Sequence, residues 1–130
     1  METAFSPRIK RVAFLLNQAA APYTLWSCTG EVWIDNMSVI CTAQAAAPLT
    51  SVSILTDQTT VYSFMSVAEG DIAFLLAKAN LARAQAATGI KPLLLSGDKI
   101  IATIAGGASA TGVLNISIQW TPAIVGSFLT

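Results

Sequence analysis

The pattern that most constrains the fold is the strict alternation of side chains over residues 113–120. An extended chain points successive side chains to opposite faces, so even and odd positions of this stretch lie on different faces. The even positions hold Leu114, Ile116, Ile118 and Trp120, whereas the odd positions are mostly polar. The stretch is therefore predicted to be a β-strand with one face in a hydrophobic core.

Two further strand patterns precede this one in the last third of the chain. Residues 93–95 form an apolar run that ends in a Ser-Gly-Asp turn, and residues 99–105 are rich in β-branched side chains. Glycines mark the turn over residues 106–112, which we predict to be a mobile hairpin tip. A phosphate-binding loop is not favoured there, since the turn lacks the Lys-Ser/Thr of such loops and leads into a strand.

Five more strands are predicted in the first half of the chain. Residues 10–16 alternate, with Lys10 on the same face as Val12, Phe14 and Leu16. Residues 23–29 and 32–41 are interpreted as a hairpin around a turn at Gly30, and 51–56 with 59–65 as a second hairpin. The polar pair Asp35-Asn36 stands at a change of phase in its strand, which predicts a β-bulge or a corner between sheets.

The resulting fold class is all-β. About eight short antiparallel strands predict a jelly-roll-like β-sandwich in a single domain over residues 1–130, with an N-terminal arm at 1–8 and a C-terminal tail at 123–130. One helix is predicted as an insertion around 71–88, where strong helix formers carry apolar residues at helical spacing before Gly89 and Pro92. Phe74 and Leu81 lie opposite its core-facing stripe, so this helix is either well covered or contacts a neighbouring subunit.

The charge content narrows the possible functions. Charged residues make up 11% of the chain against 54% hydrophobic residues, and seven basic residues balance seven acidic ones. The balance argues against nucleic acid as a partner. The low charge content has two interpretations: a surface rich in Ser, Thr and Gln, or a surface buried against other subunits. No apolar run is long enough to span a membrane, and the N-terminal residues 8–21 imitate a signal peptide only in part.

The residue types that carry most enzymatic chemistry are missing or scattered. The chain has no histidine, which excludes Ser-His-Asp and Cys-His nucleophile arrangements. Its two cysteines, Cys28 and Cys41, are too few for a zinc site and are predicted to be free, buried thiols. Glu31 and Asp35 carry no glycosidase signature. We therefore predict a non-enzymatic protein with no catalytic residues, metal site or cofactor.

Several segments between about residues 8 and 122 carry short strand and turn patterns. They are the basic first strand, Leu-Trp-Ser-Cys-Thr-Gly-Glu-Val-Trp-Ile at 25–34, Lys-Pro-Leu-Leu-Leu-Ser-Gly-Asp at 91–98, and Thr-Gly-Val-Leu-Asn-Ile-Ser-Ile-Gln-Trp-Thr-Pro at 111–122. Together these segments resemble the head-decoration, or capsid cement, proteins of tailed bacteriophages. The helical stretch at 71–88 departs from the family pattern, in which a short strand or loop is expected.

The resemblance implies a jelly-roll protein that binds the outer surface of a phage capsid and stabilises contacts between major capsid subunits. Its partners would be the major capsid protein and further copies of itself, as a homodimer or homotrimer, after synthesis in the host cytoplasm. Arg8, Lys10 and Arg11 are the candidate capsid contact, although three cations at a strand end also serve to discourage edge pairing. The candidate subunit interface comprises Phe74, Leu81 and Phe128.

One alternative function from another class stays open. Trp26, Trp33 and Trp120 could form a stacking platform for a sugar, as in a carbohydrate- or receptor-binding module of a phage fibre. Tryptophans on strands more often fill the core of a sandwich. The burial of these three side chains distinguishes the two interpretations.

Overall fold

A computed structural model describes residues 6–58, 61–66, 83–85 and 92–130. Within these residues the chain forms ten β-strands. They are β1 Arg8–Leu15, β2 Pro22–Thr29, β3 Val32–Ala43, β4 Ser51–Thr56, β5 Ser63–Met65, β6 Arg83–Gln85, β7 Leu93–Leu94, β8 Lys99–Ala105, β9 Val113–Pro122 and β10 Phe128–Leu129.

The strands form two five-stranded sheets, and the strand pairs within them are antiparallel. In the first sheet, sheet I, the order is β1-β9-β3-β6, and β7 also pairs with β3. In the second, sheet II, the order is β10-β2-β8-β4-β5. The chain changes sheet between β1 and β2, between β2 and β3, and between β3 and β4. The all-β antiparallel sandwich predicted from the sequence is therefore confirmed.

A single hydrophobic core joins the inner faces of the two sheets. Residues 113–120 point the predicted face into the core, because the four apolar side chains at even positions are buried. Sheet II contributes an equivalent row from β8, in which Ile100, Ala102 and Ile104 are at most 2% exposed. Burial of each isoleucine in this row stabilises the fold by about 1.5–3 kcal/mol, and burial of the smaller Ala102 contributes less. The core therefore sets the register of both sheets.

The predicted bulge in β3 and one of the predicted hairpins are both present. The register of β3 against β9 shifts between Ile34 and Asn36, which confirms the bulge at the Asp35-Asn36 pair. The hairpin between β4 and β5 is also confirmed, with the second strand beginning at Ser63. The bulge reverses the face parity of β3, so that Ile34 and Met37 both point into the core.

Two predicted hairpins are wrong. β2 and β3, on either side of Gly30, lie in different sheets, and so do β8 and β9, on either side of residues 106–112. Hydrogen bonds also hold the connection at 106–112, which the sequence predicts to be a mobile tip. The Ser109 N–H donates to the Leu16 carbonyl at 3.0 Å, and the Ala46 N–H donates to Ser109 Oγ at 2.7 Å. Turn residues predict where a chain reverses, but the shared core decides which strands then pair.

The predicted helix and termini need correction where the structure describes them. Residues Arg83–Gln85, inside the predicted helix, form β6 and pair with residues 37–39 of β3; the other residues of 71–88 lie outside the described ones. Pairing with a sheet edge overrides local helix propensity at these three positions. Arg8, included in the predicted arm, is the first residue of β1, and Phe128–Leu129 of the predicted tail form β10.

Candidate functional site

The two thiols have the surroundings of structural cysteines. Cys28 and Cys41 are free and buried, as the sequence predicts. Burial, with the nearby charge of Asp98, raises the pKa of the Cys28 thiol from 9.0 to about 11, and burial also raises the pKa of Cys41. The Cys28 S–H donates to the Leu94 carbonyl, with the sulfur 3.5 Å from the oxygen. A thiol held protonated in this way is a poor nucleophile.

Acidic and sulfur side chains do not gather into a metal site in the part of the chain that the structure describes. Asp98 has a structural role, since its Oδ2 accepts from the Leu95 N–H at 2.7 Å and from Gln58 Nε2 at 2.9 Å. Asp35 Oδ2 accepts from the Thr121 hydroxyl at 2.5 Å. These hydrogen bonds connect loop and strand residues that are close in the fold, so both carboxylates have structural partners.

Residues 6–58, 61–66, 83–85 and 92–130 include no helix long and apolar enough to cross a membrane.

The three cations of the N-terminal segment do not form one patch. All lie on β1, which pairs with β9 along its whole length at the edge of sheet I. Arg8 and Lys10 share the face that Phe14 buries in the core, whereas Arg11 is exposed on the opposite, outer face. The predicted contact residues therefore divide between two sides of one strand.

Arg8 packs against the ring of Trp120. Its guanidinium carbon lies 5.4 Å from the centre of the Trp120 ring, on the strand position opposite Arg8 in β9. A cation over an indole face contributes about 0.5–1 kcal/mol at exposed sites, and more when it is desolvated. Arg8 thus covers one end of the core, while Arg11 leaves its charge available at the outer surface.

The outer face of sheet I carries a shallow depression around Arg11. Strand register aligns Arg11 with Ser117 of β9, and Ser117 with Ser38 of β3, in one row across the sheet. The depression has a volume of about 210 Å³. Its lining, which we call the outer-face depression, consists of Ile9, Arg11, Asn36, Ser38, Ser117, Ile118 and Gln119. Arg11 stands out in the sequence as one of three clustered cations, but its neighbours do not, because Ser38 comes into phase with Ser117 only through the bulge in β3.

The C-terminal segment presents a second surface feature. Ile124, Val125 and Phe128 are 48%, 72% and 39% exposed, and we call these three side chains the C-terminal patch. The segment is held in place by the Ala123 N–H, which donates to the Glu31 carbonyl at 2.8 Å, and by pairing of β10 with β2. Of the predicted interface residues, Phe128 is exposed in this patch, while Phe74 and Leu81 lie outside the described residues.

The tryptophans do not form a common platform. Trp26 on β2 and Trp120 on β9 are 4% and 3% exposed and belong to the core, in opposite sheets. Only Trp33 among the three is exposed, at 39%. Two of the three rings are therefore unavailable for stacking against a ligand.

Comparison with known proteins finds similarity at the level of structure. No protein-family model and no curated protein sequence matches the chain. A chain in the capsid asymmetric unit of cyanophage Pam1 superposes with a TM-score of 0.61 over 91% of this chain and 86% of that chain, at 10% sequence identity. A chain in the acidic stable capsid of Helicobacter pylori bacteriophage KHP30 gives a TM-score of 0.43 over 93% of this chain and 98% of that chain, at 12% identity. The similarity to the Pam1 chain shows a shared fold.

Proposed function

We propose that this chain is a virion structural protein that decorates the outside of a phage head and stabilises contacts between major capsid subunits. The observation that carries the proposal is the fold shared with a chain in the Pam1 capsid over 91% of this chain and 86% of that one. Because both shares are high, the matched chain is close to this one in length. A small, one-domain component suits a protein added to a shell built by another protein.

The strand order supports a jelly-roll assignment for this single domain. Four strands of one sheet follow the order β1-β9-β3-β6, and four of the other follow β2-β8-β4-β5. Apart from the β4-β5 hairpin, consecutive strands of these eight lie in different sheets and pair with strands distant in sequence, as in two interleaved Greek keys. β7 and β10 then extend the two sheets as short additions.

The physical properties of the surface also fit a clamp between shell subunits. Residues 100–130, which include β9 and β10, contain no charged side chain, and neither do residues 36–56 of β3 and β4. Depletion of charge is typical of the centres of protein interfaces. Many copies of a modest interface bind a particle strongly, because each contact raises the effective concentration of the next.

We assign the capsid contact to Arg8, Lys10 and Arg11 with the preceding arm, and the contact between copies to Phe128 with Phe74 and Leu81. Arg11 is the exposed cation of the first group on the outer face of sheet I. Phe128 projects from a strand that hydrogen bonds anchor, so its side chain is presented at a fixed position. In this arrangement one surface faces the shell and another faces a sister subunit in a dimer or trimer.

Binding to preassembled heads tests the proposal. Heads purified from a phage that encodes this chain, but with its gene deleted, are mixed with the purified protein and sedimented. We expect saturable binding with a fixed number of copies per head, density on the outer surface by electron microscopy, and a higher temperature of head disruption. Absence of binding to intact heads, with the protein folded, would contradict the proposal.

The contribution of the arm is tested with a deletion that spares the sandwich. Removing residues 1–11 would delete half of β1 and confuse binding with folding, since β1 begins at Arg8. A deletion of residues 2–6 leaves the strand intact. Weaker head binding by this variant, at unchanged thermal stability, is the expected result, and undiminished binding would restrict the contact to β1 itself.

A further inference from the structure

We propose that the outer-face depression is a receptor for the carboxylate of an aspartate or glutamate side chain on a partner protein. This inference rests on the proposed function for the identity of the partner, which would be a subunit of the shell.

Arg11 supplies an available positive charge. It is exposed on the outer face, and no ion pair or hydrogen bond engages its guanidinium in the described part of the chain. Asp35, also at the bulge side of sheet I, does not line the depression and accepts a bond from Thr121. A guanidinium presents five N–H donors in a planar fork that matches the two oxygens of a carboxylate.

The neighbouring side chains add donors beside that fork. Ser117 and Ser38 continue the row that begins at Arg11, so their hydroxyl groups lie on the same line across three strands. Gln119, one row away, contributes an amide. A carboxylate oxygen accepts several hydrogen bonds, so an arginine with flanking hydroxyls can satisfy it where a lone arginine cannot.

An unsatisfied acceptor completes the site. Asn36 Oδ1 is buried and, in the described part of the chain, accepts no hydrogen bond, although Asn36 lines the depression. A buried polar atom without a partner destabilises the folded chain, so an incoming donor is favoured. The backbone N–H of the bound acidic residue is such a donor once the Asn36 side chain turns toward the depression, because Oδ1 itself is buried. The depression therefore matches a carboxylate together with the peptide group that carries it.

The location on sheet I is consistent with a docking surface. Exposed apolar side chains surround the polar centre: Ile9, Leu15, Trp33 and Ile40, with exposed fractions between 36% and 59%. On sheet II, by contrast, β4 is buried on both faces, since the outward Ser51 and Ser53 are only 5% exposed. A polar contact at the centre of an apolar surround is protected from water, which strengthens it.

A titration with matched peptides tests the site without requiring the natural partner. The uniformly labelled full-length chain is titrated with acetyl-Ala-Asp-Ala-amide and with acetyl-Ala-Asn-Ala-amide at low ionic strength, and backbone amide shifts are followed by NMR. We expect saturable shifts at residues 11, 38 and 117, and binding of the Asp peptide at least about tenfold tighter than that of the Asn peptide.

Two variants identify the group responsible. Arg11→Gln should abolish the preference for the Asp peptide, and Arg11→Lys should retain part of it, because a lysine keeps the charge but loses the fork. Lys99→Gln, which removes an exposed cation at the start of β8 in sheet II, serves as the matched control and should bind like the wild type. Similar affinity for both peptides, or an unchanged preference in Arg11→Gln, would overturn the carboxylate site.

The outcome is separable from that of the proposed function. A wild-type chain that binds heads but does not distinguish the two peptides overturns the carboxylate site alone. Selective binding of the Asp peptide by a chain that ignores intact heads supports the site and overturns the decoration function. If both hold, Arg11→Gln should weaken head binding and Lys99→Gln should not.

Discussion

At the scale of single residues, the surroundings of a side chain decide its role more than its type does. Arg8 and Arg11 are three positions apart on one strand, yet Arg8 stacks over the Trp120 ring while Arg11 is exposed on the outer face. The odd spacing places them on opposite faces of β1. The same reasoning separates Trp33, which is exposed, from Trp26 and Trp120, which are core residues.

The buried thiol of Cys28 makes stability depend on pH in the alkaline range. Its pKa is about 11 in the folded chain against 9.0 in the unfolded chain, so the unfolded chain releases its proton first as pH rises. Below about pH 9 the neutral thiol makes its full contribution to the free energy of unfolding. That contribution, on the order of 2 kcal/mol, is lost as the pH rises from about 9 to about 11. Stability should therefore fall over that interval.

Urea unfolding at about pH 8 and about pH 10.5 measures this loss, with Cys28→Ala as the reference. The variant is less stable at both values because it loses packing, but its stability should fall less between them. The two proteins differ only at position 28, so the difference between their losses of stability isolates the contribution of the thiol. A fall of the same size in both proteins would show that Cys28 does not cause the pH dependence.

At the scale of elements, the connections between strands help to determine the fold. The turn at Gly30 takes the chain from sheet II to sheet I and also anchors the C-terminal segment, because the Glu31 N–H donates to Ser127 Oγ at 2.9 Å. Gly30 has a φ of 82°, and a Cβ added to it would lie 2.9 Å from the Ser127 Cβ. This position requires glycine for its backbone conformation and for the close approach of Ser127.

Substituting Gly30 and Gly97 with alanine separates these two requirements. Gly97 has a similar φ of 94°, but an added Cβ would meet no atom within 4 Å. Gly97→Ala should therefore cost only the backbone strain, about 1 kcal/mol, whereas Gly30→Ala should cost about 3 kcal/mol because Ser127 must also move. Thermal or urea unfolding of both variants measures the difference. Equal losses of stability would show that Ser127 moves aside without an energetic cost.

At the scale of the whole molecule, the described residues form two surface features that are separate from each other. The outer-face depression lies on sheet I, while the C-terminal patch belongs to the segment that includes β10 of sheet II. A protein that contacts a shell with one surface and a sister copy with another can bridge several subunits. The oligomeric state of the isolated chain reports on the second surface alone.

Phe128→Ser is predicted to weaken self-association. The wild-type chain, of 13.6 kDa, should have the mass of a dimer or trimer by light scattering at micromolar concentration. Removing the exposed phenyl ring of the C-terminal patch should shift the mass toward the monomer with little loss of stability, since the ring is 39% exposed. Val61→Ser is the matched control, because Val61 is 55% exposed but lies before β5. An unchanged mass for Phe128→Ser would place the contact elsewhere.

The sequence by itself determined which side chains enter the core and where the strands are interrupted. Alternation identified the buried face of β9, and the polar Asp35-Asn36 pair identified the bulge. These inferences succeeded because each depends on side chains close together along one extended strand. The cluster of basic residues also indicated Arg11 as a candidate capsid contact, which stays a prediction, but no sequence pattern indicated the serines and amides beside it.

Only the tertiary structure decided which strands pair and which surfaces those pairs create. The turns at Gly30 and 106–112 join different sheets, β6 pairs with β3 where a helix was predicted, and Arg11 meets Ser117 and Ser38 through registers set by three strands. Local periodicity specifies the inward side of a strand but not its neighbour. Closing one core between two sheets selects the neighbours, because it requires all the inward faces to be buried together.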